Sequence, residues 1–336
     1  MLARAGHAPL VIERQRETGD ALCGGFLSWR SLETLARLGI DTPGGHRVGR
    51  LRILAGGRSG EAALPGPAIG LSRRRLDAML LQQAERMGAR IERGVTVTAA
   101  RAGAVDLADG ATIITDTLFL ATGKHDCRGL TRPHPGRDPA LGLRVRIPPS
   151  AALARLVGDA IELHLFRGGY AGLVLQEDGS GNLCMAVRKS RLTEAGDPPS
   201  LLNALASEHP ALGERIALAD LAMPIDAIGS VPYGWRALSG VSGLYRLGDQ
   251  AAVIPSLAGE GMGIAMASGT MAAQAWMAGG PAGAIAFQHA LARRTARPVR
   301  IAGWLRDAAN SGAGRALAAS LTRFAGPAAR LTRIDP

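Results

Sequence analysis

The stretch GLYRLGDQAAVIPSLAGEGMGIAMASG (243–269) decides how this chain is read. A short apolar run ends at Gly248-Asp249. A loop containing Pro255 then carries three alternating glycines, Gly259, Gly261 and Gly263, into a helix of small residues. A carboxylate at a strand end accepts hydrogen bonds from sugar-like hydroxyls. A glycine-rich helix start lets backbone N–H groups and the positive helix end approach an anion. GEGMGIA has the glycine content of a dinucleotide fingerprint, but it does not follow its strand directly and so fails that motif's context. Taken alone, the stretch is more often a glycine-rich turn ahead of a packed helix.

The opening MLARAGHAPLVIERQ (1–15) supplies a second sign. Residues 1–5 read as the last turn of a helix stopped by Gly6, Leu10 to Ile12 as a short strand, and Glu13 as its terminal acid. Helix, glycine, strand and acid form the second half of a dinucleotide-binding βαβ unit. The first strand and its G-x-G-x-x-G turn do not occur in the sequence. The expectation is a chain that starts downstream of them, and less readily a degenerate relative.

Composition narrows the class. A chain of 336 residues with 47% apolar and 20% charged residues can bury a large core and is long enough for two domains. The net charge of +11 rests almost wholly on arginine, since Lys124 and Lys189 are the only lysines. Those arginines are scattered and not interleaved with aromatics, which argues against nucleic-acid binding. Cys23, Cys127 and Cys184 are odd in number and widely spaced, so neither a zinc site nor a disulfide framework is indicated and a reducing, cytoplasmic location is expected. No run of apolar residues is long enough to span a bilayer.

Periodicity supplies the elements. SWRSLETLARLGI (28–40) reads as a helix, and 50–73 as a hairpin. Residues 74–88 form an amphipathic helix, and 89–123 a run of short strands turning at residues 108–110. LGLRVRI, AIELHLF, YAGLVLQ and NLCMAVRKS, within 141–190, suggest one antiparallel sheet. A helical pair surrounds Pro210, a helix of small residues covers 263–279, and 282–329 is helical and basic.

The 243–269 stretch resembles the C-terminal FAD motif of the flavoprotein monooxygenase and geranylgeranyl reductase superfamily. That resemblance implies that Gly248 and Asp249 hold the ribityl chain. The loop from Pro255 through Gly259 implies a helix start, with backbone of Gly261, Met262 and Gly263 at the isoalloxazine. Other segments match in the same order. Glu13 is in the place of the acid for the adenosine ribose. SRRRLDAMLLQQAERMGARI (72–91) is similar to the R-x-x-[LF]-D helix, with Arg73 as its arginine and Asp77 as its acid. VTVTAA (95–100), centred on Val97, lines the adenine in relatives, and Ala121-Thr122-Gly123 closes the cofactor site. GDALCGGFLSW (19–29) resembles the reductase-branch loop that places a cysteine near the flavin, so Cys23 is either a flavin- or substrate-facing thiol or a small buried residue. ELHLFRGGYAGLVL (162–175) resembles the substrate-sheet segment, with Tyr170 toward the cavity. There the reductases' tryptophan and Phe-Pro are replaced by Gly172-Leu173-Val174. His164 reads as structural.

The resemblance implies a Rossmann-like, glutathione-reductase-type α/β FAD domain, N-terminally truncated, made of 1–45, 72–140 and 240–336. Into it is inserted an antiparallel β-sheet substrate domain of 46–71 and 141–239. The implied activity is FAD-dependent oxidation or reduction of a hydrophobic, aromatic, polyketide or isoprenoid-like molecule. It would proceed by hydride transfer through flavin N5 or by hydroxylation from the C4a-hydroperoxide, with NAD(P)H or an electron-transfer protein as reductant. Loss of the pyrophosphate turn predicts weak FAD binding. The alternatives are a flavin-free binding or scaffold relative and an inactive fragment. The basic tail 314–334 reads as a helix on the cofactor domain or as a peripheral membrane contact.

Overall fold

The computed structural model describes residues 1–40, 43–133, 136–318, 320, 322 and 325–334. Its first strands are β1 (Leu10–Glu13), β2 (Phe26–Leu27), β3 (His46–Ala55), β4 (Arg58–Gly70) and β5 (Arg90–Arg93). Then come β6 (Val97–Arg101), β7 (Ala104–Leu107), β8 (Thr112–Ile114), β9 (Leu118–Leu120) and β10 (Ala140–Ile147). The last are β11 (Ala160–Phe166), β12 (Gly169–Leu175), β13 (Gly181–Arg188), β14 (Asp226–Val231) and β15 (Leu244–Arg246). The helices are α1 (Trp29–Arg37), α2 (Arg73–Arg86), α3 (Ala151–Val157), α4 (Lys189–Ala195) and α5 (Pro198–Glu208). They continue with α6 (Pro210–Ile216), α7 (Gly261–Gly279), α8 (Gly283–Asn310), α9 (Gly312–Ala318) and α10 (Ala325–Leu331).

The alternating stretches between 140 and 188 build the centre of an eight-stranded sheet ordered β14-β10-β13-β12-β11-β3-β4-β2. Every neighbour is antiparallel except β11 and β3, which run parallel. Because side chains alternate across a pleated sheet, the two faces carry different residues. On one face Leu143, Val145, Phe166, Leu173, Met185 and Val187 are buried beneath α3, α5 and α6. On the other, the register brings Ile53, Leu163, Gly172, Cys184 and Arg144 into one row across the strands.

The helical layer follows local rules. Asp197 caps α5 by accepting from the Ser200 N–H at 2.7 Å, and Pro198 occupies the first turn. Leu201, Leu202 and Leu205 are fully buried, each contributing about 1.5–3 kcal/mol of apolar burial. A residue before proline disfavours helical backbone, so α5 stops at His209 and Pro210 opens α6.

The remaining strands form smaller sheets: parallel pairs β1–β5 and β9–β15, and the meander β6-β7-β8. Gly6, left-handed at φ +86°, ends a short 3-10 turn just before β1. Several boundaries differ from the sequence reading. Val97 opens β6 instead of centring a strand, because Val95 donates its N–H to the Glu13 carbonyl and Thr96 accepts from Ala108 outside the ladder. Helix α3, between β10 and β11, was absent from that reading. The helical C-terminal segment is broken at Ser311, whose extended backbone separates α8 from α9. Residues 319, 321, 323 and 324 of the expected tail helix lie outside the described residues. Among the described residues, no helix is long and apolar enough to cross a membrane.

Candidate functional site

The 243–269 stretch folds as a strand, a 3-10 turn at Gly248–Gln250, a loop with a second 3-10 turn at Ser256–Ala258, and α7. Gly248 adopts φ +53°, a left-handed conformation that glycine enters without steric cost, and its N–H donates to Ser268 Oγ at 2.9 Å. Asp249 follows in the turn, its Oδ2 3.2 Å from Lys124 Nζ. Asp249 beside it raises the Lys124 pKa, outweighing burial, so the lysine stays charged. Gln250, fully buried, donates to the carbonyls of Gly123 and His125, both at 2.9 Å. Those bonds fasten Ala121-Thr122-Gly123, just beyond β9, against residues 248–250. Thr122 Oγ1 donates to the His125 carbonyl at 2.7 Å.

Pro255 is buried and Gly259 turns the chain at φ +62°. Helix α7 then starts at Gly261 without a side-chain cap, so its first-turn N–H groups are not taken up by a capping side chain. A Cβ at Gly261 would meet nothing within 4 Å, whereas one at Gly263 would run into the Glu260 carboxylate. Met262 packs with Leu27, Leu35 and Leu76.

Glu13 ends β1 as expected, half-buried, and its Oε1 accepts from the Gln15 N–H at 2.8 Å. Arg73 and Asp77 form a bidentate pair at 2.8 and 2.7 Å on the first turn of α2. Burial works against the Arg73 charge, but Asp77 and Cys23 more than offset it and its pKa is raised. Asp20 receives the Arg73 and Arg74 N–H groups and thereby joins the loop 19–25 to the start of α2.

That loop rests on the sheet face away from the helices. Cys23 is half-exposed, and its carbonyl accepts from Asn182 Nδ2 at 2.8 Å and from Cys184 Sγ at 3.0 Å. Arg144 grips the loop at the Asp20 and Ala21 carbonyls and at Asp20 Oδ2. It also reaches Asp226 Oδ2 at 2.6 Å. Burial pushes the Cys184 thiol up to about 12 and raises the Cys127 thiol too, so neither is a ready nucleophile.

Tyr170 lies on the same face. Its Oη accepts the Leu257 N–H at 2.9 Å, within the loop between Pro255 and Gly259. Tyr233 Oη lies 2.6 Å from Ser256 Oγ. Burial drives the Tyr170 pKa well up, and its Tyr233 and Ser256 neighbours tie the three hydroxyls into one group. Around them Ala55, Leu165, Ala186 and Ala309 are buried, with Ile53 and Leu163 beside them. His164 is on the opposite face, buried and 3.0 Å from Glu162. Sequence reading missed Lys124, Tyr233 and Ser256. The one available signal for Lys124 is its position directly after Ala-Thr-Gly.

No protein-family model matches the chain. A menaquinone reductase of Mycolicibacterium smegmatis is 27% identical over 309 residues, spanning 83% of this chain and 72% of that protein. Among solved structures, the halogenase PltM in complex with phloroglucinol and FAD superposes with a TM-score of 0.75 at 12% identity, covering 92% of this chain and 73% of that one. A geranylgeranyl bacteriochlorophyll reductase-like protein from Thermoplasma acidophilum gives 0.73 at 17% identity, covering 96% and 86%. At such identities the structural likeness is one of fold.

Proposed function

We propose, from the fold that this chain shares with the flavoprotein monooxygenase and geranylgeranyl reductase superfamily, that it is an FAD-dependent oxidoreductase acting on a hydrophobic small molecule. The observation that carries the proposal is the meeting of Asp249 and the Ala121–Gly123 loop beside α7, whose Ser268 accepts the Gly248 N–H and whose start has no side-chain cap. A carboxylate to accept from ribityl hydroxyls and helix N–H groups without a side-chain cap to donate to the flavin edge are the set an FAD requires, and the residues present fit it. Asp249 would hold the ribityl chain, residues 261–263 the isoalloxazine edge, and Glu13 and Arg73 the adenosine side.

When bound, FAD supplies hydride transfer or oxygen activation; the chain binds, orients and excludes water. The pairs β1–β5 and β9–β15 are read as parts of one glutathione-reductase-type domain, with the eight-stranded sheet as the inserted substrate domain. Ile53, Leu163 and Leu165 give that sheet an apolar wall, and Tyr170, Tyr233 and Ser256 offer hydroxyls to a substrate oxygen. Reduction by NAD(P)H binding transiently, or by an electron-transfer protein, belongs to the same reading, since the sequence has no dinucleotide fingerprint for a resident nicotinamide.

The test is an equilibrium titration of the chain with FAD, followed by flavin fluorescence. Weak but saturable binding is the expected result, since the sequence has no pyrophosphate turn, and Asp249→Asn should weaken it about 10- to 100-fold, the loss of a charge-assisted hydrogen bond. Absence of saturable FAD binding by the wild-type chain would overturn the proposal. For the substrate side, Tyr233→Phe is expected to weaken 2-naphthol about tenfold while leaving naphthalene unchanged, as measured by fluorescence titration.

A further inference from the structure

The flavin loop is gripped from behind by the end of the chain. Arg333 follows α10 and is almost wholly buried, its Nη1 2.7 Å from Glu260 Oε2. The same Nη1 donates to the Ala258 carbonyl at 2.7 Å and to the Gly259 carbonyl at 3.2 Å. The Ile334 N–H donates to Glu260 Oε1 at 3.0 Å, so one carboxylate receives both a guanidinium and a backbone amide from the tail. Glu260 is itself completely buried. The guanidinium carbon lies 5.7 Å from the Phe26 ring centre and 5.2 Å from that of Trp29, a distance at which a cation is attracted to an aromatic face.

Each of these contacts bears on the loop's shape. A Cβ on Gly259 would stand 3.0 Å from Phe26 Cδ1, so the ring that faces Arg333 also sets the space for the left-handed turn. The Glu260 carboxylate folds back over Gly263, in the first turn of α7. A trans peptide points its N–H opposite to its C=O. Holding the Gly259 carbonyl against Arg333 therefore turns the Glu260 N–H away from the tail.

We infer that Arg333 is a positioning residue for the cofactor: the C-terminal arm latches residues 258–263 into the conformation in which α7 meets the flavin. This rests on the FAD reading above. The latch acts on the loop and on cofactor binding and touches the sheet only at its β2–β4 edge, away from β12 and β13, which separates it from a general contribution to folding.

The test compares Arg333→Met, Glu260→Gln and the double variant with the parent chain, by hydrogen exchange and by FAD titration. Arg333→Met is expected to speed exchange of the 258–263 amides at least tenfold, with β12 and β13 unchanged, and to weaken FAD about tenfold or more. The double variant should be no worse than the poorer single one. Arg333→Lys, which restores the charge, should recover part of the affinity, and Arg330→Met, an exposed neighbour, should bind as the parent does. Unchanged exchange at 258–263, or faster exchange spread evenly over β12 and β13, would overturn the latch. If the parent chain shows no saturable FAD binding in the titration, the flavin reading fails, and the local exchange difference still decides the latch.

Discussion

Replacing Glu162 with glutamine is expected to lower the free energy of unfolding by about 3–5 kcal/mol, the range for removing one partner of a buried charge pair. Glu162 on β11 is fully buried. Arg215 reaches it through Nε at 3.0 Å and Nη2 at 2.9 Å, Arg52 through Nη1 at 2.6 Å, and His164 through Nε2 at 3.0 Å. One carboxylate thus ties β3 and β11 to α6, and its loss takes the negative charge from between two guanidinium groups, leaving Arg52 with Glu61 and Arg215 with Glu214. Burial alone would raise the Glu162 pKa, but the hydrogen bonds from His164 and Arg215 win and hold it at about 2, below the ordinary 4.5. A folded-state value below the unfolded one stabilises the native state at pH above about 4.5, and that contribution drains away as pH falls toward about 2. Urea unfolding of parent and variant at pH 7 and below pH 4 checks both statements. The gap between them should narrow in acid.

Arg144→Met is the second large effect, at about 3 kcal/mol by the same reasoning. It stays at the lower end because Arg146 Nη2 remains 2.8 Å from Asp226 Oδ2. The functional consequence is larger. Arg144 holds the Asp20 and Ala21 carbonyls, and without it the loop 19–25 is left, among the described contacts, with the Asn182 and Cys184 bonds to the sheet and the longer Arg146–Asp20 pair. Cys23 should then alkylate at least tenfold faster, as read by peptide mass spectrometry at pH 7. An unchanged Cys23 rate would mean that the loop is positioned by α2 alone.

Why the sequence disclosed part of this and hid the rest follows from range. Period-2 alternation in LGLRVRI and NLCMAVRKS marks strands because strand faces are a local property, and Gly248 and Gly259 mark turns because left-handed backbone favours glycine. Charge partners carry no such local mark. Arg144 and Asp20 are 124 residues apart, and Arg333 and Glu260 are 73 apart. In a chain rich in arginine each of these reads as a solvated side chain. Arg144 and Arg146 even alternate with Leu143 and Val145 as a water-facing edge would. Arg144 is buried because the loop 19–25 comes to lie upon it. Tyr233 and Ser256 were hidden for the same reason, their meeting being made by the fold and by nothing in either neighbourhood.

The two-faced sheet also bears on how such a protein can diversify. Helices α3, α5 and α6 anchor the chain on one side, and the row Ile53, Leu163, Gly172 and Cys184 looks the other way. Adjacent positions on one strand therefore answer to different pressures: Leu173 to the persistence of the fold, Gly172 to whatever lies above it. Lineages can drift at positions such as Leu163 and Gly172 without disturbing the core beneath α3, α5 and α6, and a new chemical niche can be reached by steps that each leave a folded protein.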